Sequence, residues 1–253
     1  MARVHRVYLV PGMFGFGRLA GYDYFEHVRR ELGARFDGAG IRWGLEVVPT
    51  PPTASIRRRA RVLAETIVKS CGDDGGPIHI IGHSTGGLDA RLLATPGVNL
   101  GYLDTKGSFR SRIASVVSIN CPHHGTPLAQ FFATVSGTRI LYALSLLTVT
   151  TLTASGPPLT AATSLLAAVG GIDEALGIDL RVLDRATDVL LRFLGERSQA
   201  EVREWLEGIR LDQGGILQIS PEAMDLFNAS ADDAPGVRYG CLVGASPAPM
   251  SNS

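Results

Sequence analysis

Eleven residues, Pro77-Ile78-His79-Ile80-Ile81-Gly82-His83-Ser84-Thr85-Gly86-Gly87, constrain this chain more than any others. An apolar, β-branched run enters a Gly-x-Ser-x-Gly pentapeptide, and Leu88-Asp89-Ala90-Arg91-Leu92-Leu93-Ala94 follows as the first turns of a helix. Strand, sharp turn and helix are the context in which a serine is presented as a nucleophile. Such a turn forces the serine into a strained backbone conformation at the strand tip and stands its hydroxyl clear of the sheet. Gly82 and Gly86 suit it because larger residues two positions either side of the serine would collide as strand and helix close together. The pentapeptide alone also fits an ordinary strand-to-helix turn; the strand before it and the helix after it single out Ser84 as the expected nucleophile.

The rest of the chain supplies the framework. Val4 to Val10 reads as a strand ending at Pro11-Gly12, followed by the loop Met13-Phe14-Gly15-Phe16-Gly17. Tyr22 to Phe36 fits a helix with Phe25, Val28 and Leu32 on one face. Leu45 to Val48 is a second short strand. Ser55 should cap a helix with Ile56, Ala60, Leu63 and Ile67 inside and Arg57, Arg58, Arg59, Arg61 and Glu65 outside. Ile113 to Ile119 is another strand, ending in Asn120-Cys121-Pro122-His123-His124-Gly125-Thr126-Pro127. Strands that are almost wholly apolar and alternate with helices imply a parallel sheet covered on both faces. Reactive groups then sit at the carboxyl ends of the strands, where the Pro11 loop, Ser84 and the Pro122–Pro127 loop all fall.

After Gln130 the character changes. Ile140 to Ile172 contains no charged residue, yet Gly156-Pro157-Pro158 interrupts it and neither half approaches the ~20 apolar residues of a membrane span. Two apolar helices capping the rim are expected instead. Asp179 to Leu194 is amphipathic, and Ser198-Gln199-Ala200-Glu201 reads as a capping box opening a helix through Trp205. Ser220-Pro221-Glu222 starts another helix, and Val237 to Val243 is a last strand. The expected division is a core over 1–129, a helical cap over 130–220 and a return to the sheet over 221–253.

At 253 residues the chain can bury a full core. Net charge is zero, with 16 basic against 10 acidic residues in 1–125 and 8 against 14 in 126–253. No basic stripe with interleaved aromatics appears, which argues against nucleic acid. Cys71, Cys121 and Cys241 are too scattered for a disulfide framework or a metal site, so neither metal nor cofactor is expected. The N-terminus enters a strand with no signal-peptide core, making the cytoplasm the expected compartment, with peripheral membrane contact through the cap.

With these residues in hand, the chain resembles the bacterial lipase/esterase branch of the α/β-hydrolases, similar to triacylglycerol lipases. The resemblance rests on Val7-Tyr8-Leu9-Val10-Pro11-Gly12-Met13-Phe14-Gly15-Phe16, on the Tyr22–Phe25 start of the next helix, on Gly82-His83-Ser84-Thr85-Gly86-Gly87, on Pro122-His123-His124-Gly125-Thr126-Pro127, and on the Ser220–Asn228 and Val237–Val243 stretches. Where such lipases usually carry His-Gly after the first strand, this chain has Pro11-Gly12. The resemblance implies an α/β-hydrolase fold with an inserted helical cap. It implies Ser84 as nucleophile, with the backbone N–H groups of Met13 and Thr85 as the oxyanion hole.

It also implies an acid and then a histidine following strands beyond the cap. Here all six histidines, His5, His27, His79, His83, His123 and His124, lie at or before position 124. Asp212, Asp225, Asp232 and Asp233 precede the Val237–Val243 strand and read as surface or helix-end carboxylates. The sequence therefore reads as a lipase domain cut short at its C-terminus, lacking its last strands. His123 or His124 could serve as an unorthodox base, but a loop-ordering role is the plainer expectation.

Two functions follow. One is a serine carboxylester hydrolase acting through an acyl-enzyme on esters or lipids, very weak or inactive in this form; a thioesterase or acyltransferase is a variant of it. The other is a non-catalytic homologue that binds acyl chains or membranes through its cap.

Overall fold

A computed structural model describes residues 3–19, 22–102, 109–132, 188, 191, 192 and 196–245. Its centre is a five-stranded sheet of β1 (His5–Val10), β4 (Trp43–Val47), β5 (Ile78–His83), β6 (Ile113–Ile119) and β7 (Arg238–Leu242) in the order β4-β1-β5-β6-β7. Every neighbouring pair is parallel. Two short strands, β2 (Arg18–Leu19) and β3 (Tyr22–Asp23), pair antiparallel beside it.

Period-two alternation sends the strand residues to two covered faces. Val7, Leu9 and Ile81 pack against Phe25, Val28, Leu32 and Phe36, all but Phe25 on α1 (Glu26–Gly38). Tyr8, Val10, Ile78 and Ile80 pack against α2 (Ile56–Ser70) and α3 (Thr85–Ala94) on the other face. Ser55 caps α2, its hydroxyl accepting the Arg58 N–H. The sheet carries the expected α/β-hydrolase layering.

Four expectations need correcting. The helix placed over Tyr22–Phe36 begins only at Glu26, because Tyr22–Asp23 is taken into β3 and the Asp23 carboxylate accepts the Phe25 N–H. Arg59, placed on the solvent face of α2, is 1% exposed. Ser198 is no cap: it lies inside α5 (Glu196–Leu211), where Arg197 and Glu201 pair across one turn. The last strand is Arg238–Leu242, shorter than Val237–Val243. A short helix α4 (Leu128–Phe132) leaves the core, and α6 (Gly214–Leu217) and α7 (Pro221–Ser230) lead back to it. The apolar cap helices expected over Ile140–Ile172, and most of Asp179–Leu194, lie outside the described residues. Among the described residues no helix is long and apolar enough to cross a membrane.

Asp74 fastens the edge opposite the site. It accepts the Val4 and Gly76 N–H groups and pairs with Arg6 at 2.6 Å. The Val4 N–H chiefly, joined by Gly76 and Arg6, holds its carboxyl well below the usual carboxylate range against the opposing effect of desolvation. A depressed carboxylate stabilises the fold fully above its unfolded pKa of ~4 and loses that contribution as pH falls towards the folded value. In urea titrations, Asp74→Asn should therefore be less stable than the parent at pH 7, and the gap should close below about pH 4.

Candidate active site

The β5–α3 turn holds Ser84 in a conformation that residues with a side chain rarely adopt. Its φ is +52° and ψ is −129°, and it is the residue immediately before α3. The surroundings over-determine that strain. The Ser84 N–H donates to the Ile119 carbonyl of β6 at 2.8 Å, and the Ser84 carbonyl accepts the Gly87 N–H. A Cβ on Gly82 would lie 2.2 Å from the Gly86 carbonyl oxygen, and one on Gly86 would lie 2.3 Å from that of Val10. No side chain fits at either position. The Ser84 side chain is half-buried and makes no capping bond to α3.

Gly12 brings the loop after β1 against the serine. A Cβ there would meet Ser84 Cβ at 2.6 Å and Oγ at 3.2 Å, so only glycine lets the two backbones approach this closely. The loop is fixed at successive residues. Arg59 donates to the Pro11 carbonyl at 2.6 Å. The Phe14 N–H donates to Pro52, with Phe14 at φ +60°, and the Gly15 N–H returns to the Gly12 carbonyl. Met13 lies between these fixed points. Thr85, first residue of α3, is buried, and the N–H of such a residue has no partner within its own helix.

Arg59 and Asp89 are the residues that sequence reasoning missed. Both Nε and Nη2 of Arg59 lie 2.9 Å from Asp89 Oδ2, and Nη1 donates to the Pro51 carbonyl at 2.6 Å. One buried guanidinium thus ties the β1 loop, the Pro51 loop and α3 together behind Ser84. Burial pushes the Asp89 carboxyl up to about 6, with Arg59 pulling against it. Among the described residues Asp89 Oδ1 has no hydrogen-bond partner. The signal for Arg59 was present in the spacing: it stands three residues after Ile56 and four before Leu63, on the apolar stripe itself.

The histidines are engaged elsewhere. His83 Nδ1 is 2.6 Å from the Tyr24 hydroxyl, and burial lowers its pKa, favouring the neutral ring. His123 places Nε2 2.9 Å from Ser118 Oγ in a cavity of about 300 Å³ that also borders Gly87, Arg91 and Tyr239. Its carbonyl accepts from Asn228 of α7, and Arg91 reaches Asn228 and the Ala231 carbonyl. The Pro122–Pro127 loop is thereby stitched to α7, with Thr126 N–H donating to Ile219. His124 is exposed. Among the described residues no hydrogen bond joins Ser84 Oγ to a histidine or a carboxylate, and no cluster of metal-ligating side chains occurs.

No family model matches the chain. Over 124 residues, 49% of its length, it is 32% identical to a triacylglycerol lipase of Vibrio cholerae, covering 34% of that protein. It is 31% identical over 125 residues to a triacylglycerol lipase of Pseudomonas fragi, covering 36% of it. The matched stretch spans only about a third of the length of these curated relatives. Among solved structures, EstA from Clostridium botulinum aligns over 93% of this chain and 59% of its own, with a TM-score of 0.52 at 19% identity. The mature Bacillus licheniformis lipase BlEst2 aligns over 98% of this chain and 68% of its own, with a TM-score of 0.50 at 14% identity. The chain shares the α/β-hydrolase fold of these structures, and half of it is similar in sequence to triacylglycerol lipases.

Proposed function

We propose that the chain carries the nucleophile and oxyanion hole of a serine carboxylester hydrolase acting on lipid or simpler esters. The observation that carries this is Ser84 at φ +52° between β5 and α3, with Gly12 packed against it. Ser84 Oγ attacks the ester carbonyl, its proton passing to solvent water, which later protonates the leaving alcohol. The oxygen turns negative as the tetrahedral intermediate forms, and the Met13 and Thr85 N–H groups donate to it. Collapse expels the alcohol, which takes up a proton, and leaves an acyl-Ser84 that water then hydrolyses. One preorganised donor of this kind is worth about 3 kcal/mol in the transition state. The α3 dipole adds to the donor on Thr85.

A serine hydroxyl needs a base to take its proton, and no described residue fills that role. The expected consequence is a very weak hydrolase. We place it in the cytoplasm, with contact to lipid through residues 130–220. The lack of a base among the described residues also favours a second reading, a homologue that binds acyl chains without turning them over.

A fluorophosphonate given with imidazole as external base separates the two. The hydrolase reading expects one phosphonyl group, located on Ser84 by peptide mass spectrometry and absent from Ser84→Ala. Labelling scattered over other serines, or equal in Ser84→Ala, would count for the second.

A further inference from the structure

A second cavity, of about 560 Å³, lies between the Gly15–Leu19 segment, the Pro49–Pro52 loop and α5, and Ser84 does not line it. Its walls are fixed. Gly208 lets α5 close on the proline loop, since a Cβ there would meet Pro52 at 3.1 Å. The C-terminal end of α5 is tied down as well, by Thr53 to the Asp212 carbonyl at 2.5 Å and by Arg58 to the Asp212 carboxylate at 2.6 Å.

Two polar groups in this wall are unused. Trp205 is 7% exposed and Thr50 6%, and among the described residues neither the Trp205 Nε1–H nor Thr50 Oγ1 has a hydrogen-bond partner. A buried polar group left unpaired costs about 1–3 kcal/mol, a cost that a ligand oxygen reaching Trp205 would remove. Phe16 stands edge-on to the Trp205 ring at 6.4 Å, so the interior is aromatic and apolar.

The mouth carries one sign of charge. Glu201, Glu204 and Glu207 line the cavity along α5. Of these, Glu201 is met only by Arg197 at 3.5 Å, and that side chain is 93% exposed. Glu204 and Glu207 are exposed and have no ion pair among the described residues. Carboxylates over an aromatic wall repel a fatty-acid anion and attract an organic cation, which gains further from the ring face.

We propose that this cavity binds a small organic cation bearing an oxygen acceptor, of the choline type, either free or as a lipid head group. The ammonium sits under the three glutamates, and the oxygen accepts the Trp205 Nε1–H. The assignment rests on this cavity alone and holds whether or not Ser84 turns over.

The test uses the full chain with Trp43→Phe, which leaves Trp205 as the only tryptophan of the two. Its fluorescence is titrated with choline, with 3,3-dimethylbutan-1-ol (the same shape without charge), and with ethyltrimethylammonium (the same charge without the hydroxyl). Choline should give a saturable change, with each analogue weaker by about tenfold or more, the factor that 1.4 kcal/mol represents. Glu201→Gln, Glu204→Gln and Glu207→Gln together should reduce choline to the level of its carbon analogue, with the thermal melt unchanged because all three lie on the solvent side of α5. Monomeric dihexanoylphosphatidylcholine binding tighter than choline identifies the lipid head group as the source, and weaker binding identifies the free cation. No saturable change, equal binding of the neutral analogue, or an unaffected triple variant would each overturn the proposal.

Discussion

Arg59→Ala should destabilise the chain by about 3–5 kcal/mol, more than any other single side-chain truncation proposed here, because it strands a buried carboxylate. Asp89 is fully buried, and its bonded oxygen is held by Arg59 alone. The loss should read out as a fall in the urea midpoint with an unchanged slope. It should also depend on pH in a defined direction. Burial already raises the Asp89 carboxyl to about 6, and removing the guanidinium raises it further. A carboxyl raised in the folded state binds its proton more tightly there than in the unfolded chain, so folding weakens as pH rises above ~4. The deficit of Arg59→Ala should therefore be largest at neutral pH and shrink on acidification towards pH 5. Replacing both partners, as Arg59→Met with Asp89→Leu, should recover most of the stability, since the attraction within a buried pair barely exceeds its desolvation. A deficit under 1 kcal/mol that ignores pH would mean the pair is not what joins α2, α3 and the two loops.

That pair also shows how the sequence could be read and where it could not. The unbroken apolar runs at Val7–Val10 and Ile78–Ile81 implied a sheet covered on both faces, and period two, imposed by the backbone itself, sends their residues to each face in turn. The elbow was legible for the same local reason: Gly82 and Gly86 have no room for a side chain, and Ser84 takes the strain between them. Arg59 was misplaced because its charge outweighed its spacing. A charge on an apolar stripe implies a buried partner, and Asp89, thirty residues on, becomes that partner only when α2 and α3 pack. Ser198 matched a capping box, but helix α5 already begins at Glu196. Tyr24 looked like part of α1, whereas it precedes that helix and its hydroxyl meets His83 Nδ1 at 2.6 Å. Side chains that act across tertiary contacts leave little local trace.

The larger expected effect is on rate. Removing the base from a serine hydrolase costs on the order of 10⁶ in turnover, while oxyanion donors and binding retain about 10³–10⁴ over water. The 253-residue chain should hydrolyse p-nitrophenyl butyrate barely above background. Ser84→Ala, His123→Ala and His124→Ala should each change that rate little. His123 is engaged with Ser118, and a hydroxyl without a base contributes almost nothing. Robust turnover lost in both Ser84→Ala and His123→Ala would make His123 the base. Turnover lost in Ser84→Ala alone would place the base among residues not described.

The most direct test of Ser84 as an elbow nucleophile is to supply the base from solution. Hydrolysis of p-nitrophenyl butyrate is followed as imidazole is raised, for the parent chain and for Ser84→Ala, with free imidazole subtracted. The account predicts a protein-dependent rate that rises with imidazole in the parent and is absent from Ser84→Ala. An imidazole-dependent rate of the same size in both proteins would contradict it.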